Sequence, residues 1–301
     1  MNHRQIAWPH KTCEFQNHHM DSKRWDEFKF RDDDIVIATW AKSGTTWLQQ
    51  IVGQFVFDAA ENIPVMEISP WLDYRATPKE PMFAMLEAQT HRRFLKTHLP
   101  ADALLASPTA KYIYVGRDGR DALWSWYEHH CSYTEFIYTA LNESPGLVGP
   151  SLPLPGKDVV EYFHQWLDGN GYPAWPFFSN IQSWWDVRNQ PNVLLLHFNE
   201  LKSDLEGEMR KISNFLDCQN DEKLWPDMVR HCTFDYMKDH ADELNPRLGK
   251  VFSGGGKSLI NKGENNRWLS TLTVADSQKY DAFAARYLTR DCASWLASGV
   301  K

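Results

Sequence analysis

The sequence predicts an α/β protein: a single three-layer α/β/α domain with a central parallel sheet and a P-loop-like anion-binding loop after its first strand. Three observations carry that expectation. Apolar runs suited to buried strands recur at 35–40, 93–97, 111–115 and 192–198. The stretches following the first, third and fourth runs have helical periodicity, as βαβ units require. Finally, the segment from Ile35 through Lys42-Ser43-Gly44-Thr45-Thr46 to Trp47 joins an apolar strand to a helix through a loop built to hold an anion.

The elements follow in chain order. Arg31-Asp32-Asp33-Asp34 reads as a solvated turn before the first strand. After that strand, Ser43 to Thr46 place consecutive backbone N–H groups and hydroxyls at a helix N-terminus, where free amides and the helix dipole favour negative charge. Lys42 adds a point charge. Trp47, Leu48, Ile51, Val52, Phe55 and Val56 then share one helical face. The loop is not a Walker A motif, because its Lys precedes its only Gly. The run Tyr112-Ile113-Tyr114-Val115-Gly116 leads into Arg117, where a simple nucleotide triphosphatase would want a carboxylate for magnesium. A cation there suggests a second anionic group. After the fourth run, Leu205, Met209, Ile212, Phe215 and Leu216 again share a face. The segment 132–190, rich in Pro and aromatic residues, reads as an irregular cap over the site, and a second irregular, Gly-containing stretch at 245–267 as a loop able to close.

A chain of 301 residues with 43% hydrophobic and 14% aromatic content, and no Pro/Gly/Ser-rich linker or repeat, is expected to form one domain over 1–301, with its core at 25–290. A net charge of −7 argues against nucleic-acid binding through a broad basic surface and places the anion in a local pocket. The five scattered cysteines contain no Cys-x-x-Cys pair and fit a reducing, cytoplasmic setting. The N-terminus lacks the apolar stretch of a signal peptide, and no window of about 20 apolar residues suggests a transmembrane segment. His18-His19 and His129-His130-Cys131, like Cys13 near His10, match no standard zinc spacing and read as structural or surface residues.

Four segments fall into one pattern: 39–47, Phe94-Leu95-Lys96-Thr97-His98-Leu99-Pro100, Tyr114-Val115-Gly116-Arg117 with Ser125 eight residues on, and Asn261-Lys262-Gly263. Together, over roughly 25–290, they resemble the cytosolic-type sulfotransferases, the bacterial members above all, which use 3′-phosphoadenosine 5′-phosphosulfate (PAPS). The resemblance implies that Lys42 stabilises the leaving oxygen between phosphate and sulfonate, and that Ser43, Gly44, Thr45 and Thr46 bind the 5′-phosphate. It implies that His98 is the general base, with Lys96, on the same strand face by period two, stabilising the transferring sulfonate. Arg117 and Ser125 would hold the 3′-phosphate, assisted by Lys262 and Gly263. Asn261 stands where the family usually has Arg, a loss for which Arg267 could compensate. Trp47 would stack on adenine, with Phe198 where the family often has Tyr and with Cys232, Thr233 and Phe234 lining the base.

The implied reaction transfers sulfonate to a hydroxyl or amine of a small-molecule acceptor, releases 3′-phosphoadenosine 5′-phosphate (PAP), and requires no metal. Aromatic density at 124–138 and 172–185 suggests an apolar pocket for a phenol, alcohol, sterol-like molecule or lipid. The family's dimerisation element is matched at 269–278 only by the pair Thr273-Val274, both charged ends being replaced, which leaves the oligomeric state open. Two rivals are a small-molecule P-loop kinase dependent on ATP and magnesium, and a non-catalytic nucleotide-binding module. Arg117 with Ser125 argues against the first, and His98 with Lys96 against the second.

Overall fold

Each apolar run forms a strand in the computed structural model, which describes residues 10–243 and 247–300. The strands are β1 (Ile35–Thr39), β2 (Phe94–Thr97), β3 (Lys111–Gly116) and β4 (Val193–His197). All pair in parallel, in the order β2-β1-β3-β4, with Ile35 opposite both Phe94 and Lys111 and Tyr112 opposite Val193. Among the helices are α1 (Thr45–Val56), α2 (Gly119–Cys131), α3 (Glu135–Asn142), α4 (Val159–Asp168), α5 (Phe178–Asp186), α6 (Leu205–Phe215) and α7 (Arg290–Ser298).

The strands are continuously apolar because both faces of the sheet are covered. On one face Ile35, Ile37, Phe94, Ile113, Val115 and Leu196 pack with Leu48, Ile51, Val52 and Phe55 of α1 and Met209 and Ile212 of α6. On the other, Val36, Ala38, Leu95, Tyr112, Tyr114 and Leu195 share a core with Leu123 and Trp126 of α2, Phe163 and Trp166 of α4, Trp184 of α5 and Trp295 of α7. Successive strand residues thus alternate between two helical layers, which is the three-layer α/β/α arrangement. Each Val, Leu, Ile, Phe or Met among these side chains, fully buried, stabilises the fold by roughly 1.5–3 kcal/mol. The two cores hold the sheet rigid, and with it the strand ends that carry the site.

Three expectations require correction. Asp34 is fully buried, not part of a solvated turn: the guanidinium of Arg93, itself buried beside β2, donates to it at 2.8 and 2.5 Å. A buried cation demands that counter-charge. The segment 132–190 is not irregular throughout, since it contains α3, α4 and α5. The prolines cluster at the joints between these helices, while most of the aromatic residues lie on the helices themselves, and the start of α4 is announced by Asp158, whose carboxylate caps the amides of Val160 and Glu161. Lastly, the stretch 245–267 falls partly outside the described residues, at 245–246, but from Arg247 on it is folded against the body. It forms the short turns Leu248–Val251 and Gly256–Leu259, and Ser253 N–H donates to the Ser132 carbonyl at 2.9 Å. Among the described residues no helix is long and apolar enough to cross a membrane.

Candidate active site

The C-terminal ends of all four strands open on one cavity, where parallel sheets place ligands. Beyond β1, Lys42 (φ 62°) and Gly44 (φ 102°) adopt left-handed backbone, which tightens the loop. A Cβ at Gly44 would lie 3.2 Å from the Phe198 ring. Gly44 is the N-cap of α1 and no side chain caps that helix, so its first-turn amides keep their anion-binding capacity. The Ser43 hydroxyl is buried with no hydrogen-bond partner.

His98 directly follows β2. Its Nδ1 lies 2.7 Å from the Thr39 carbonyl, which places the ring proton on Nδ1 and leaves Nε2 its lone pair. Asn180 Nδ2 donates to the His98 carbonyl at 3.0 Å, and the Tyr114 hydroxyl in turn donates to Asn180 Oδ1 at 2.8 Å. Trp71 packs edge-on at 4.6 Å. Burial, then the cations Lys96 and Lys42, push the imidazole well below 6.5, so it is neutral at pH 7.

Lys42 and Lys96 complete this end. Burial, together with Arg117 and Lys96, pushes the Lys42 ammonium down to about 7. Among the described residues its Nζ donates to the Leu259 carbonyl alone, at 3.2 Å. Lys96 is pushed down to about 8 by burial, against an opposing effect of Asp73, and its ammonium sits 4.8 Å over the Trp71 ring. Crowded cations facing depressed ionisation are an arrangement that a bound anion would relieve.

Arg117, at the end of β3, donates to the Lys42 carbonyl at 2.8 Å, to Asn265 Oδ1 at 3.1 and 2.7 Å and to the Glu264 carbonyl at 3.0 Å. Its guanidinium lies 4.3 Å over Phe198, and burial holds its ionisation down to about 10. Ser125 faces the same cavity from α2, as do Asn261, Lys262, Gly263 and Arg267. At the neighbouring wall Trp47 meets Phe198 edge-on at 5.6 Å, and its Nε1 donates to the Cys232 carbonyl at 2.7 Å. Gly263 (φ 65°) lies against Phe234, whose ring a Cβ would approach to 2.7 Å.

The cavity therefore gathers Lys42, Gly44, Thr45, Thr46, Trp47, Lys96, His98, Arg117, Ser125, Phe198, Phe234, Asn261, Lys262 and Gly263. Ser43, Cys232 and Thr233 do not line it: Ser43 and Cys232 are fully buried, and the Thr233 hydroxyl accepts from Tyr236 N–H to start a short helix. Sequence reasoning missed Lys202, one turn after Phe198, which donates to the Gly263 carbonyl at 2.8 Å. It missed Glu128, one turn after Ser125, whose carboxylate meets Asn261, Lys262 and Arg267. Helical spacing from Phe198 and Ser125 could have found both. Trp71, Trp126 and Trp175 carried no motif. Nor are the histidines simply structural or superficial, since His19 and His129 line the cavity beside Tyr133. His18 Nε2 is 2.8 Å from the Pro173 carbonyl, its Nδ1 2.5 Å from His19 Nδ1, and His19 Nε2 3.3 Å from the Tyr133 hydroxyl, a chain that orients His19.

Comparison with known proteins agrees with this geometry. A sequence profile described as the sulfotransferase domain matches residues 32–291. The chain belongs to the sulfotransferase family. It is 30% identical to a glycolipid sulfotransferase of Mycobacterium bovis over 93% of this chain and 92% of that one. It is also 31% identical to mouse sulfotransferase 1B1, over 86% and 84% of the two chains. The fold is shared with a crystal structure of mouse sulfotransferase SULT7A1 complexed with PAP, at a TM-score of 0.67 and 21% identity over 91% and 90% of the chains. As a sulfotransferase the protein is an enzyme that transfers a sulfonate group, and neither a kinase nor a non-catalytic nucleotide module is favoured.

Proposed function

We propose that this sulfotransferase moves sulfonate from PAPS to a neutral hydroxyl on an apolar small molecule or lipid, with His98 as the base. The observation that carries the reading is the His98 Nδ1 contact with Thr39, which presents a neutral Nε2 in the same cavity as Lys42 and Lys96. His98 takes the hydroxyl proton on Nε2 as the acceptor oxygen attacks sulfur and the bond from sulfur to the bridging oxygen breaks. Lys42 stabilises the charge left on that oxygen, and Lys96 the sulfonate in transit. The loop amides of Ser43 to Thr46 hold the 5′-phosphate. Arg117, Ser125, Lys262, Gly263 and Arg267 surround the 3′-phosphate, Asn261 lies beside them, and Trp47, Phe198 and Phe234 take the adenine.

The acceptor end is walled by Trp71, Trp126, Trp175, Tyr133, His19 and His129, none of them a carboxylate. Burial keeps His19 and His129 neutral, well below 6.5. A protonated amine would bring a further charge into this buried, carboxylate-free wall, beside Lys96 and Lys42, whereas a neutral alcohol would not. The glycolipid named in the mycobacterial relative supports a lipid-borne hydroxyl. Tyr133 and Trp175 support reading 132–190 as a cap over this end, within one domain spanning 1–301. The five free cysteines support a reducing cytoplasm.

PAP at a concentration of about 100 Kd should stabilise the protein by about 2.7 kcal/mol, seen as a melting shift of several degrees. ATP with magnesium should shift it much less. The reverse ranking would sink the donor assignment. With labelled PAPS, an alcohol should accept sulfonate at least about tenfold faster than the amine of the same apolar skeleton, since a single buried unpaired charge costs more than 1.4 kcal/mol. A preference for the amine would refute the acceptor reading.

A further inference from the structure

We propose that Glu128 competes with the donor's 3′-phosphate for the same cations, and so sets how strongly this enzyme distinguishes 3′-phosphorylated nucleotides from those with a bare 3′-hydroxyl. The inference rests on the donor reading above. Helix α2 carries Ser125 and Glu128 three residues apart, hence on one face, and both line the cavity. The Glu128 carboxylate accepts from Arg267 Nη1 at 2.7 Å and from Arg267 Nη2, from Lys262 Nζ at 3.2 Å and from Asn261 Nδ2 at 2.9 Å. Every side chain of 261–267 assigned to the 3′-phosphate is therefore already held by one carboxylate. Arg117 differs, because its hydrogen bonds go to the neutral oxygens of Lys42, Glu264 and Asn265.

Two consequences follow from charge alone. A 3′-phosphate carries about −1.5 to −2 at pH 7 and offers three acceptor oxygens, so it outbids one carboxylate for Arg267 and Lys262. Glu128 then loses its partners and faces a like charge, a cost paid only by nucleotides that bear the 3′-phosphate. Without nucleotide the same contacts tie 261–267 to α2. Arg267 and Lys262 hold the Glu128 carboxylate below its ordinary range against the upward effect of burial, so the competitor is ionised at neutral pH.

The test is calorimetric titration of PAP and of adenosine 5′-monophosphate into the unaltered protein and into Glu128→Gln, at one fixed ionic strength. Glutamine keeps the shape and removes the charge. PAP should bind Glu128→Gln about tenfold more tightly while the monophosphate changes less than about twofold, so that discrimination rises. In hydrogen exchange, amides of 261–267 should exchange faster in the free variant and recover with PAP. Glu128→Ala should reproduce the gain in PAP/monophosphate ratio, which guards against a folding defect peculiar to one variant. An unchanged or reduced ratio in both variants, with PAP still binding the unaltered protein, overturns the role of Glu128 and leaves the donor reading intact. Failure of the unaltered protein to bind PAP at all overturns both.

Discussion

His98→Ala is expected to bind PAP as the unaltered chain does and to transfer sulfonate about 10²- to 10⁴-fold more slowly, the range for a positioned general base. The reason lies in its tautomer. With Nδ1–H committed to the Thr39 carbonyl, Nε2 is the ring atom free to take a proton, and burial with two cations in the cavity keeps the ring neutral at physiological pH. Those same cations make the resulting imidazolium a short-lived state, which favours passing the proton to solvent once product leaves. Because the ring contacts a strand end and not the 5′-phosphate loop's amides, nucleotide affinity is the control that separates loss of the base from loss of the fold. Single-turnover transfer from labelled donor provides the measurement. Transfer at the normal rate in the alanine variant would remove His98 from the mechanism.

The second large effect concerns Lys42. Its ammonium, pushed down to about 7 by burial, Arg117 and Lys96, is mostly neutral in the free enzyme at pH 8. A phosphate beside it favours the charged form, so the bound state keeps a proton that the free state has lost. Binding must then take up close to one proton, and PAP affinity should fall as pH rises above 7, approaching about tenfold per pH unit until the bound group itself titrates. Lys96, at about 8, adds to the same trend at higher pH. Calorimetry in buffers of different ionisation heat reads the proton directly. Lys42→Ala should abolish most of the uptake and slow transfer by about 10²- to 10³-fold, the scale of removing one preorganised charge from a transition state. An affinity flat from pH 7 to 9, with no dependence on buffer, would exclude this role.

The legible parts of the molecule share a property. Residues 35–47 encode strand, turn and helix start in adjacent positions, and the apolar runs of β1 to β4 are found within a residue of their observed ends. The hydrophobic face of α1 was readable, but not the burial of Gln49, Gln50 and Gln54 on the same helix. The amides of two of them are accommodated by distant carbonyls, Gln49 donating to Ser69 at 2.6 Å and Gln50 to His231 at 3.4 Å. A polar residue at a core position cannot announce its partner. Likewise Asp34 looked like one more acid in a surface run until Arg93 stood opposite it.

The sequence by itself determined the parallel α/β sheet, the anion loop and the cluster of Lys42, Lys96, His98 and Arg117 at strand ends. The sheet and the loop follow from local periodicity, helix-terminal chemistry and the rule that parallel strands deliver their C-terminal ends to one side, while Lys96 and His98 are singled out by the resemblance to the sulfotransferases. Tertiary structure alone decided which nitrogen of His98 is free, that His19, Trp71, Trp126 and Trp175 line the cavity with it, and that Glu128 holds 261–267. Each of these depends on groups brought together from far apart in the chain, with Glu128 and Arg267 separated by 139 positions. A charge pair of that kind leaves no periodic signal, because its energy depends on distance and burial in the folded protein, and neither is encoded in the residues between.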